Sequence, residues 1–489
     1  MLRIRHDAPT TDNEGLKQMQ LQHFVGGNML GGGDLLEIVN PSTAEIITHA
    51  PSASPDVVDA AVRAAQDASA SWSEQTPGYR AGALLELAQA VENDLGHLLD
   101  LESANAGLPV GVYGEDLAWG VDVIRYTAGA ARVVDAPVAG EYVSGCTSMV
   151  RREPLGVVCC IAPWNDPLLL ALTKLAPALA TGNTVVLKPA PNTPITAVRL
   201  AELAADILPP GVLNVVLGGQ ATGEALLKHP GIDAVAFTGS VDTGKRIAEM
   251  AARTLKKTVL ELGGKSPVVV FADSNLEKIA ETISGLGFYS AGQNCIAATR
   301  ILVEESAHDK LVQHLTERAQ ALVIGDARSP ETTLGPLVSA RQRESVEGFL
   351  ERRESHTEIV TGGIRPAGLA GFFLEPTIVT GLREGDEMTR EEIFGPVQTV
   401  ETFRDESEVI RRANATRYGL GASVWTRDVA RSLRLARGIK AGSVWVNTHS
   451  AVATELPFGG FKASGYGREF GASLDEFTGT KHVAVSLED

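Results

Sequence analysis

Alternation of short apolar strands with amphipathic helices between residues 155 and 270 constrains this chain more than any other feature. The predicted strands are GVVCCIAPW, NTVVLKPA, GVLNVVLG, DAVAFTGS and KTVLELGG, with helical stretches such as LLLALTKLAPALATG between them. Repeated β-α units predict a parallel sheet covered by helices on both faces. The alternation resumes after residue 265, with predicted strands KSPVVVFAD, ATRILVEES, TIVTGL and GSVWVNT and a boundary near Gly263 and Gly264. The sequence therefore predicts an α/β protein with two such layered systems.

Flanking segments complete the predicted organisation. Residues 55–135 place apolar side chains at i, i+3, i+4 and i+7, which predicts helices that begin near Pro55. The segment EYVSGCTSMVRREPLG alternates β-formers with polar residues, as a hairpin does, and HVAVSLED is predicted to form an exposed strand. Exposed strands need a partner, so we expect a homo-oligomer. The polar stretch up to about Gln18 is expected to be loosely ordered.

Charge and cysteine content exclude several classes of partner. The chain has 43 basic and 60 acidic residues and a net charge of -17, so nucleic acid is not expected as a ligand. Its four cysteines form neither a CxxC pair nor a zinc pattern, which is typical of a reducing compartment. No run approaches the roughly 20 apolar residues that span a membrane, and the N-terminus lacks the apolar core of a secretory signal. We expect a cytoplasmic protein with no membrane partner.

Three single residues are candidates for chemistry, and each has an ordinary alternative. Cys295 follows residues 292–294 (Gly-Gln-Asn) at the end of a helical stretch, where it is either a reactive thiol or a buried, inert one. Glu261 lies in TVLELGG, where burial would raise its pKa and suit a general base, although a lone glutamate is usually a solvated charge. Asn165 follows a strand end, so its amide either donates to an oxyanion or belongs to a turn beside Pro167.

A turn that could bind phosphate is the fourth candidate. FTGSVDTGK predicts a strand end, then Gly239 and Ser240, then a helix that opens near Asp242. Free N–H groups at a helix N-terminus bind phosphate. The chain lacks GxGxxG between a first strand and helix, so the usual dinucleotide fingerprint is absent and the turn alone is a weak signal.

The order of the motifs is more informative than any one of them. PWN, KPA, FTGS, LELGGK, GQNC, EEIFGPV and PFGGFK follow one another along the chain. In this combination the sequence resembles the aldehyde dehydrogenase superfamily from about residue 20 to the C-terminus. The resemblance implies a Rossmann-type cofactor domain (1–131 and 151–262), an α/β catalytic domain (263–470) and an oligomerisation element (132–150 and 471–489). It also implies a homodimer or a homotetramer.

The resemblance gives each matching residue a role. Cys295 corresponds to the nucleophile, Glu261 to the base that activates the hydrolytic water, and Asn165, with the Cys295 N–H, to the oxyanion hole. Lys174 and Glu469 match polar residues near the water path, or else form a structural ion pair. The residues that correspond to cofactor contacts are Trp164, Lys188 at the adenosine ribose, Gly239, Ser240 and Gly244 under the pyrophosphate, and Glu392 and Phe394 at the nicotinamide ribose and ring.

The implied reaction is NAD(P)-dependent oxidation of a small-molecule aldehyde to a carboxylic acid through a thioester on Cys295, and no step needs a metal. Pro191 stands where NAD-preferring relatives often have a glutamate, so NAD is the expected cofactor and NADP stays open. Asp166 adds a polar edge to the substrate tunnel or caps a helix. Asp166, Thr173 and Val452 stand where relatives often have larger aromatic side chains, which predicts a wide substrate tunnel. The residues that correspond to its lining are Asp166, Leu170, Thr173, Tyr289, Asn294, Ile296, Val452 and Phe458.

Two alternatives stay open at this point. An enzyme of the same fold could pass the acyl group to coenzyme A, but a hydrolytic base at Glu261 would waste that thioester. A non-catalytic binding or structural protein could keep the fold, but the presence of Cys295, Glu261 and Asn165 together argues against it. The sequence does not identify the aldehyde.

Overall fold

A computed structural model gives the fold of the chain and describes residues 13–133, 138–471 and 473–488. Helices and parallel strands alternate through most of its length, as the sequence predicts. The α-helices are Asn13–Gln18, Pro55–Ser73, Pro77–Asn93, Leu95–Ala106, Val110–Ala130, Pro167–Ala180, Ile195–Ala204, Gln220–Lys228, Val241–Ala252, Leu276–Phe288, His308–Gln320, Ala340–Glu351, Glu387–Arg390, Glu406–Asn414, Val429–Gly438 and Ser473–Glu476.

An eight-stranded sheet collects the strands of the first layered system. Its five central strands are parallel, and their spatial order is third, second, first, fourth, fifth along the chain. This Rossmann-type order has a switch point between the first and fourth strands, beyond whose carboxyl ends ligands bind. Across the sheet the strands are Asn28–Leu30, His23–Val25, Leu213–Val215, Thr184–Lys188, Val157–Ile161, Ala234–Gly239, Lys257–Leu262 and Gly465–Tyr466.

A seven-stranded sheet forms the second layered system. Six of its strands are parallel. The edge strand Glu358–Thr361 is antiparallel to its neighbour Thr377–Thr380. The sequence predicts four of them and misses Glu358–Thr361, Val397–Phe403 and Gly421–Trp425. In spatial order the strands are Glu358–Thr361, Thr377–Thr380, Val397–Phe403, Arg300–Glu304, Pro267–Val270, Gly421–Trp425 and Ser443–Val446.

The helix Pro55–Ser73 begins at Pro55, as the sequence predicts, and the next helix also begins at a proline. Pro55 and Pro77 occupy first-turn positions, where the missing N–H costs nothing. The Ser54 hydroxyl oxygen accepts a hydrogen bond from the Val57 N–H at 3.4 Å. Buried Trp72 then ties the first of these helices to Pro167–Ala180, because its indole N–H donates to the Leu179 carbonyl at 3.1 Å.

Smaller sheets lie outside the two main ones. The predicted hairpin and C-terminal strand both form, and they pair in one antiparallel sheet of Ala139–Val143, Cys146–Pro154 and Thr478–Ser486. The second hairpin strand runs to Pro154, past residue 150, where the predicted oligomerisation element has its bound, and residues 134–137, 472 and 489 of that element lie outside the described residues. Dimer or tetramer formation through this sheet stays a prediction. The remaining strands pair as Asp34–Asn40 with Glu45–Ser52 and as Pro457–Phe458 with Glu469–Phe470.

The expectation of a loosely ordered N-terminus is wrong for the part that is described. Asn13–Gln18 is helical, and the Leu16 side chain is buried in the first hydrophobic core. The Thr48 hydroxyl adds a hydrogen bond to the Met19 carbonyl at 2.6 Å. Residues 1–12 lie outside the described residues. Within the described part of the chain, every helix is too short or too polar to cross a membrane.

Candidate active site

A tightly turned segment presents Cys295. After the helix Leu276–Phe288, residues 290–292 take left-handed φ angles of 49°, 53° and 72°, and only the third is glycine. Each non-glycine residue in this region costs about 1–3 kcal/mol, so other contacts must hold the turn. The buried Gln293 side chain supplies two of them, since its amide donates to the Ser290 carbonyl and its oxygen accepts from the Val338 N–H, both at 3.0 Å.

Glu261 lies in a strand of the eight-stranded sheet and Cys295 in the segment before the strand Arg300–Glu304, and the two segments meet at a pair of glycines. The strand Lys257–Leu262 continues into Gly263 and Gly264, and a Cβ at position 264 would overlap the Cys295 carbonyl oxygen. Glu261 is 4% exposed, and neither of its carboxyl oxygens has a hydrogen-bond partner among the described residues. On its other side, a Cβ at Gly459 would lie 2.7 Å from the Glu261 Oε1 atom. A buried carboxyl without a partner is thus held beside the thiol segment.

Burial sets the protonation of both groups. It raises the pKa of Glu261 well above its usual range; the charge of Glu469 raises it further, while Lys174 opposes the shift. Burial also raises the pKa of the Cys295 thiol, and the charges of Glu392, Glu261 and Asp166 add to that effect. The site therefore favours a neutral thiol, whereas the nucleophilic form of a cysteine is the thiolate.

Lys174 and Glu469 form a buried ion pair. The Lys174 Nζ donates to the Glu469 Oε1 at 2.7 Å, and the two side chains are 2% and 6% exposed. Both charges act on the pKa of Glu261. The sequence left two alternatives for these residues, a structural ion pair and a place near the water path. The structure shows a buried ion pair whose charges also act on the pKa of Glu261.

Asn165 and Asp166 interact with each other. Each is 7% exposed, and the Asn165 side-chain amide donates to the Asp166 Oδ2 at 3.1 Å. Asp166 precedes the helix Pro167–Ala180 but forms no side-chain capping bond. The alternative that Asp166 turns outward as a helix cap is therefore wrong, because its carboxyl is buried against the amide. The side-chain amide of Asn165 has a second N–H, which this bond does not use.

The predicted phosphate turn lies at the switch point of the eight-stranded sheet. Ala234–Gly239 ends there, and Ser240 caps the helix Val241–Ala252 by accepting a hydrogen bond from the Thr243 N–H at 3.3 Å. A Cβ at Gly244 would lie 2.5 Å from a Leu262 methyl carbon. Only glycine lets the first turn of this helix approach the neighbouring strand so closely.

Lys188 ends the strand Thr184–Lys188 at the same edge of the sheet. It is buried, its Nζ donates to the Pro189 carbonyl at 3.0 Å, and burial lowers its pKa to about 8. Pro191 is exposed in the turn that follows. An ammonium at the carboxyl edge of a Rossmann-type sheet is placed to bind hydroxyl or phosphate oxygens.

The region between this edge of the sheet and Cys295 is occupied by Glu392, Phe394 and Trp164. Glu392 Oε1 accepts a hydrogen bond from the Gly264 N–H at 2.9 Å, and burial raises the pKa of Glu392 to about 7. The Trp164 and Phe394 rings pack edge to face, 5.3 Å apart at 87°. Phe394 has a φ of 54°, which turns the chain beside the ring contact. Three distant motifs thus converge on one side of Cys295.

The predicted tunnel residues divide into two groups. Ile296, Val452 and Phe458 share a hydrophobic cluster with Cys295. Thr173 and Asn294 instead use their polar groups locally. The Thr173 hydroxyl donates to the Leu170 carbonyl at 3.1 Å, and the Asn294 side-chain oxygen accepts from the Ile296 N–H at 3.0 Å. The predicted Tyr289 hydroxyl donates to the carboxylate of Asp116.

Sequence reasoning missed Trp119. Its ring stacks on Phe470 with centroids 4.9 Å apart and packs in the same hydrophobic cluster as Cys295. Its indole N–H donates to the Thr454 hydroxyl at 2.8 Å. The only local signal is an aromatic residue within the amphipathic helix Val110–Ala130, a pattern that more often marks an ordinary core position.

Comparisons with known proteins give the chain a family. The family model described as "Aldehyde dehydrogenase family" matches residues 31–483. Betaine aldehyde dehydrogenase 1 of Rhizobium meliloti (strain 1021) is 39% identical over 480 residues, 96% of this chain and 98% of that protein. Phenylacetaldehyde dehydrogenase of Pseudomonas fluorescens is 39% identical over 483 residues, 95% and 96% of the two chains.

Solved structures agree with this match. The crystal structure of betaine aldehyde dehydrogenase from Staphylococcus aureus in complex with NAD⁺ has a TM-score of 0.95 at 34% identity, and the similarity covers 98% of this chain and 97% of that one. The predicted α/β fold class and the resemblance stated from the motifs are thereby confirmed. The chain belongs to the aldehyde dehydrogenase family.

Proposed function

We propose that this enzyme oxidises an aldehyde to the carboxylic acid with NAD⁺, through a thioester on Cys295 that is hydrolysed with Glu261 as the base. One observation supports this reaction above others: the buried carboxyl of Glu261 has no hydrogen-bond partner among the described residues and is held against the Cys295 segment through Gly264. A carboxylate in that position is free to accept a proton from a reacting group.

The first step is addition of the Cys295 sulfur to the aldehyde carbon. Because the thiol is neutral at rest, its proton must be released to solvent as the sulfur attacks, and the role proposed for Glu261 lies in the later hydrolysis. The aldehyde oxygen becomes an oxyanion, and fixed donors stabilise it most effectively. Asn165 is one such donor, and its bond to Asp166 fixes the amide in advance.

The carboxyl edge of the eight-stranded sheet suits NAD. The close approach of the helix Val241–Ala252 at Gly244, its cap at Ser240 and the ammonium of Lys188 would hold the phosphates and ribose. Glu392, Phe394 and Trp164 would hold the nicotinamide end. When bound, NAD supplies the hydride acceptor. The Staphylococcus aureus structure named above, which contains NAD⁺, supports this choice; NADP stays open because Pro191 has no charge.

Hydrolysis of the thioester returns the enzyme to its starting state. Glu261 takes a proton from water as the oxygen attacks the acyl carbon, and the Cys295 sulfur departs with the electrons of the C–S bond. The carboxylic acid is released and the thiol is reprotonated. This role for Glu261 favours hydrolysis over transfer of the acyl group to coenzyme A.

The substitution Glu469→Gln tests how the buried ion pair influences Glu261. The charge of Glu469 raises the pKa of Glu261 and that of Lys174 lowers it, so loss of Glu469 removes a raising effect while the lowering effect of Lys174 remains. A base works only above its pKa, so we expect the acid limb of thioester hydrolysis to move to lower pH. Single-turnover hydrolysis measured against pH checks this, with exposed Glu455→Gln as the control. A limb that stays in place or moves to higher pH contradicts the expectation.

The substitution Pro191→Glu tests whether residue 191 faces the adenosine ribose of the bound cofactor. A carboxylate near the adenosine ribose should repel a 2′-phosphate, and about 1.4 kcal/mol of repulsion at an effective dielectric of about 20 is a tenfold effect. We expect kcat/KM for NADP to fall about tenfold or more relative to that for NAD. Pro191→Gln adds a similar side chain without the charge and should not change the ratio. An unchanged ratio in the glutamate variant would show that residue 191 does not face the ribose.

The reaction itself is tested by following reduction of NAD⁺ with a panel of aldehydes, with and without coenzyme A. Reduction without coenzyme A, accompanied by free carboxylic acid, supports the proposal. Reduction only with coenzyme A would favour the acyl-transferring alternative, and no reduction with any aldehyde would favour a non-catalytic protein. The relatives are named for betaine aldehyde and for phenylacetaldehyde, so their names do not select one substrate.

A further inference from the structure

A chain of buried hydrogen bonds ends on the residue that follows Cys295. The Trp425 indole N–H donates to the Ser423 hydroxyl oxygen at 3.1 Å, and that oxygen lies 2.9 Å from His449 Nδ1. On the other side of the imidazole ring, His449 Nε2 lies 2.7 Å from the Ile296 carbonyl oxygen. All four residues of the chain are buried. The chain therefore links the seven-stranded sheet to the segment that carries the thiol.

The two ends of this chain set the direction of its bonds. An indole N–H can only donate and a carbonyl oxygen can only accept. Burial lowers the pKa of His449 to about 4, so the ring is neutral near neutral pH and has a single N–H. That N–H is on Nε2, facing the Ile296 carbonyl, and a lone pair remains on Nδ1. The Ser423 hydroxyl, which already accepts from Trp425, therefore donates to Nδ1.

The bond from His449 completes the restraint on the main chain after the nucleophile. The Ile296 N–H donates to the Asn294 side-chain oxygen at 3.0 Å. Gly264 faces the Cys295 carbonyl oxygen so closely that a Cβ there would overlap it. Among the described residues, no main-chain N–H donates to the Ile296 carbonyl. The imidazole thus supplies a partner that the backbone does not.

The loop that presents His449 is itself held in a defined position. The His449 ring lies 5.2 Å from the Trp445 ring, at 57° to it, and Trp445 packs in the hydrophobic cluster that includes Cys295. Asn447 and Ser450, on either side of the imidazole, have left-handed φ angles of 54° and 58°. Such backbone is costly outside glycine and persists only where other contacts hold it. The bonds of the imidazole are among those contacts.

We propose that His449 is a positioning residue, whose imidazole donates to the Ile296 carbonyl and thereby holds the Cys295 segment in the orientation that the reaction needs. This proposal rests on the aldehyde oxidation proposed above and adds a residue to it. The Cys295 N–H is expected to donate to the oxyanion with Asn165, and donors stabilise that charge best when they are fixed in advance. A displacement of about 1 Å can slow a reaction about 100-fold.

The substitutions His449→Phe and His449→Gln test the donor. Phenylalanine keeps a ring but has no N–H, so the Ile296 carbonyl loses its partner. Glutamine has an amide N–H near the position of Nε2. We expect single-turnover formation of NADH, measured by stopped-flow absorbance, to slow about 10–100-fold in His449→Phe. His449→Gln should recover about fivefold or more of that loss, the scale of one hydrogen bond. KM for NAD⁺ should not change in either variant, because the imidazole acts on the Cys295 segment.

Two further variants separate positioning from loss of stability. Ser423→Ala removes the donor to Nδ1 but leaves the N–H on Nε2, so we expect a smaller slowing of about two- to fivefold. Combined with His449→Phe it should add nothing, because both substitutions break the same chain. His314→Phe removes a half-buried imidazole whose Nδ1 lies 3.6 Å from Glu317 on its own helix, and its single-turnover rate should be that of the wild type.

The protonation of the imidazole is measured without substrate. Nitrogen NMR of the wild type with labelled histidine distinguishes the two ring nitrogens, and the His449 signals are those lost in His449→Gln. We expect a neutral ring with its hydrogen on Nε2 near neutral pH. A hydrogen on Nδ1, or on both nitrogens, would overturn the assigned bond. If His449→Phe does not fold, this measurement and the rate of Ser423→Ala decide.

The kinetic outcomes are equally distinct. A His449→Phe enzyme that forms NADH as fast as the wild type would overturn the proposal. So would a glutamine variant no faster than the phenylalanine variant, or a loss explained wholly by a higher KM for NAD⁺. If the wild type forms no NADH from any aldehyde, the proposed reaction itself is refuted. If the wild type is active and the His449 variants match it, only the positioning role is refuted.

Discussion

Cys295→Ala should reduce aldehyde oxidation by about 10⁴-fold or more, the scale of loss when a covalent nucleophile is removed. The proposed reaction has no substitute for this thiol. Cys159 and Cys160 are fully buried within the strand Val157–Ile161, and Cys146 lies in the hairpin sheet. The variant should still bind NAD and still melt cooperatively, because Cys295 is only partly buried and alanine removes a single atom.

The control for this variant is Cys146→Ala. Cys146 is also partly buried, and it lies at the start of the strand Cys146–Pro154 rather than near Glu261. Rates of NAD⁺ reduction, together with mass spectrometry of the wild type quenched during turnover, check the prediction. The acyl adduct should be found on the peptide that contains Cys295. Activity within tenfold of wild type in Cys295→Ala, or an equal loss in the control, would contradict a thioester at this position.

The sequence is most informative where strands are buried on both faces. All five residues of Thr184–Lys188 are buried, and so are the first four of Val157–Ile161. Such strands appear as unbroken apolar runs between glycine and proline turns. This is why the alternation between residues 155 and 270 predicts the order of elements correctly, including the helix that follows Gly239 and Ser240.

A buried ion network explains why the strand Val397–Phe403 is missed. Glu401, within this strand, accepts hydrogen bonds from Arg300 at 2.8 Å and from Arg412 at 2.7 Å. The Glu401 carboxyl is fully buried, yet in the sequence VQTVETF it resembles a charge that faces solvent. Its partners lie 101 residues before it and 11 residues after it in the chain, and no local pattern shows that they meet.

The two sides of Cys295 differ in how far the sequence reveals them. Glu261, Gly264 and Glu392 lie in distinct motifs, and the structure joins them through the Gly264 N–H. The contact of Trp119 depends instead on the helix Val110–Ala130, whose pattern is that of an ordinary amphipathic helix. The buried position of Asp166, rather than a helix cap, also depends on this packing.

Glu261→Gln should separate the two halves of the reaction. Glutamine keeps the size of the side chain but cannot take a proton, and loss of a general base costs about 10²–10⁴-fold. We expect a rapid burst of NADH close to one equivalent per active site, then turnover slowed by that factor. Stopped-flow absorbance measures both phases. Glu261→Asp keeps a carboxylate at a greater distance and should recover part of the slow phase.

The pH dependence of hydrolysis gives an independent check of this role. Burial raises the pKa of Glu261, so the carboxylate that acts as base is lost as pH falls through that raised value. In the wild type, hydrolysis should therefore quicken as pH rises through the raised pKa and then level off. The glutamine variant has no such group and should show no rise of this origin. If burst and turnover fall equally in Glu261→Gln, the role of Glu261 is to activate Cys295 by taking the thiol proton, because a group needed only for hydrolysis cannot slow the step before it.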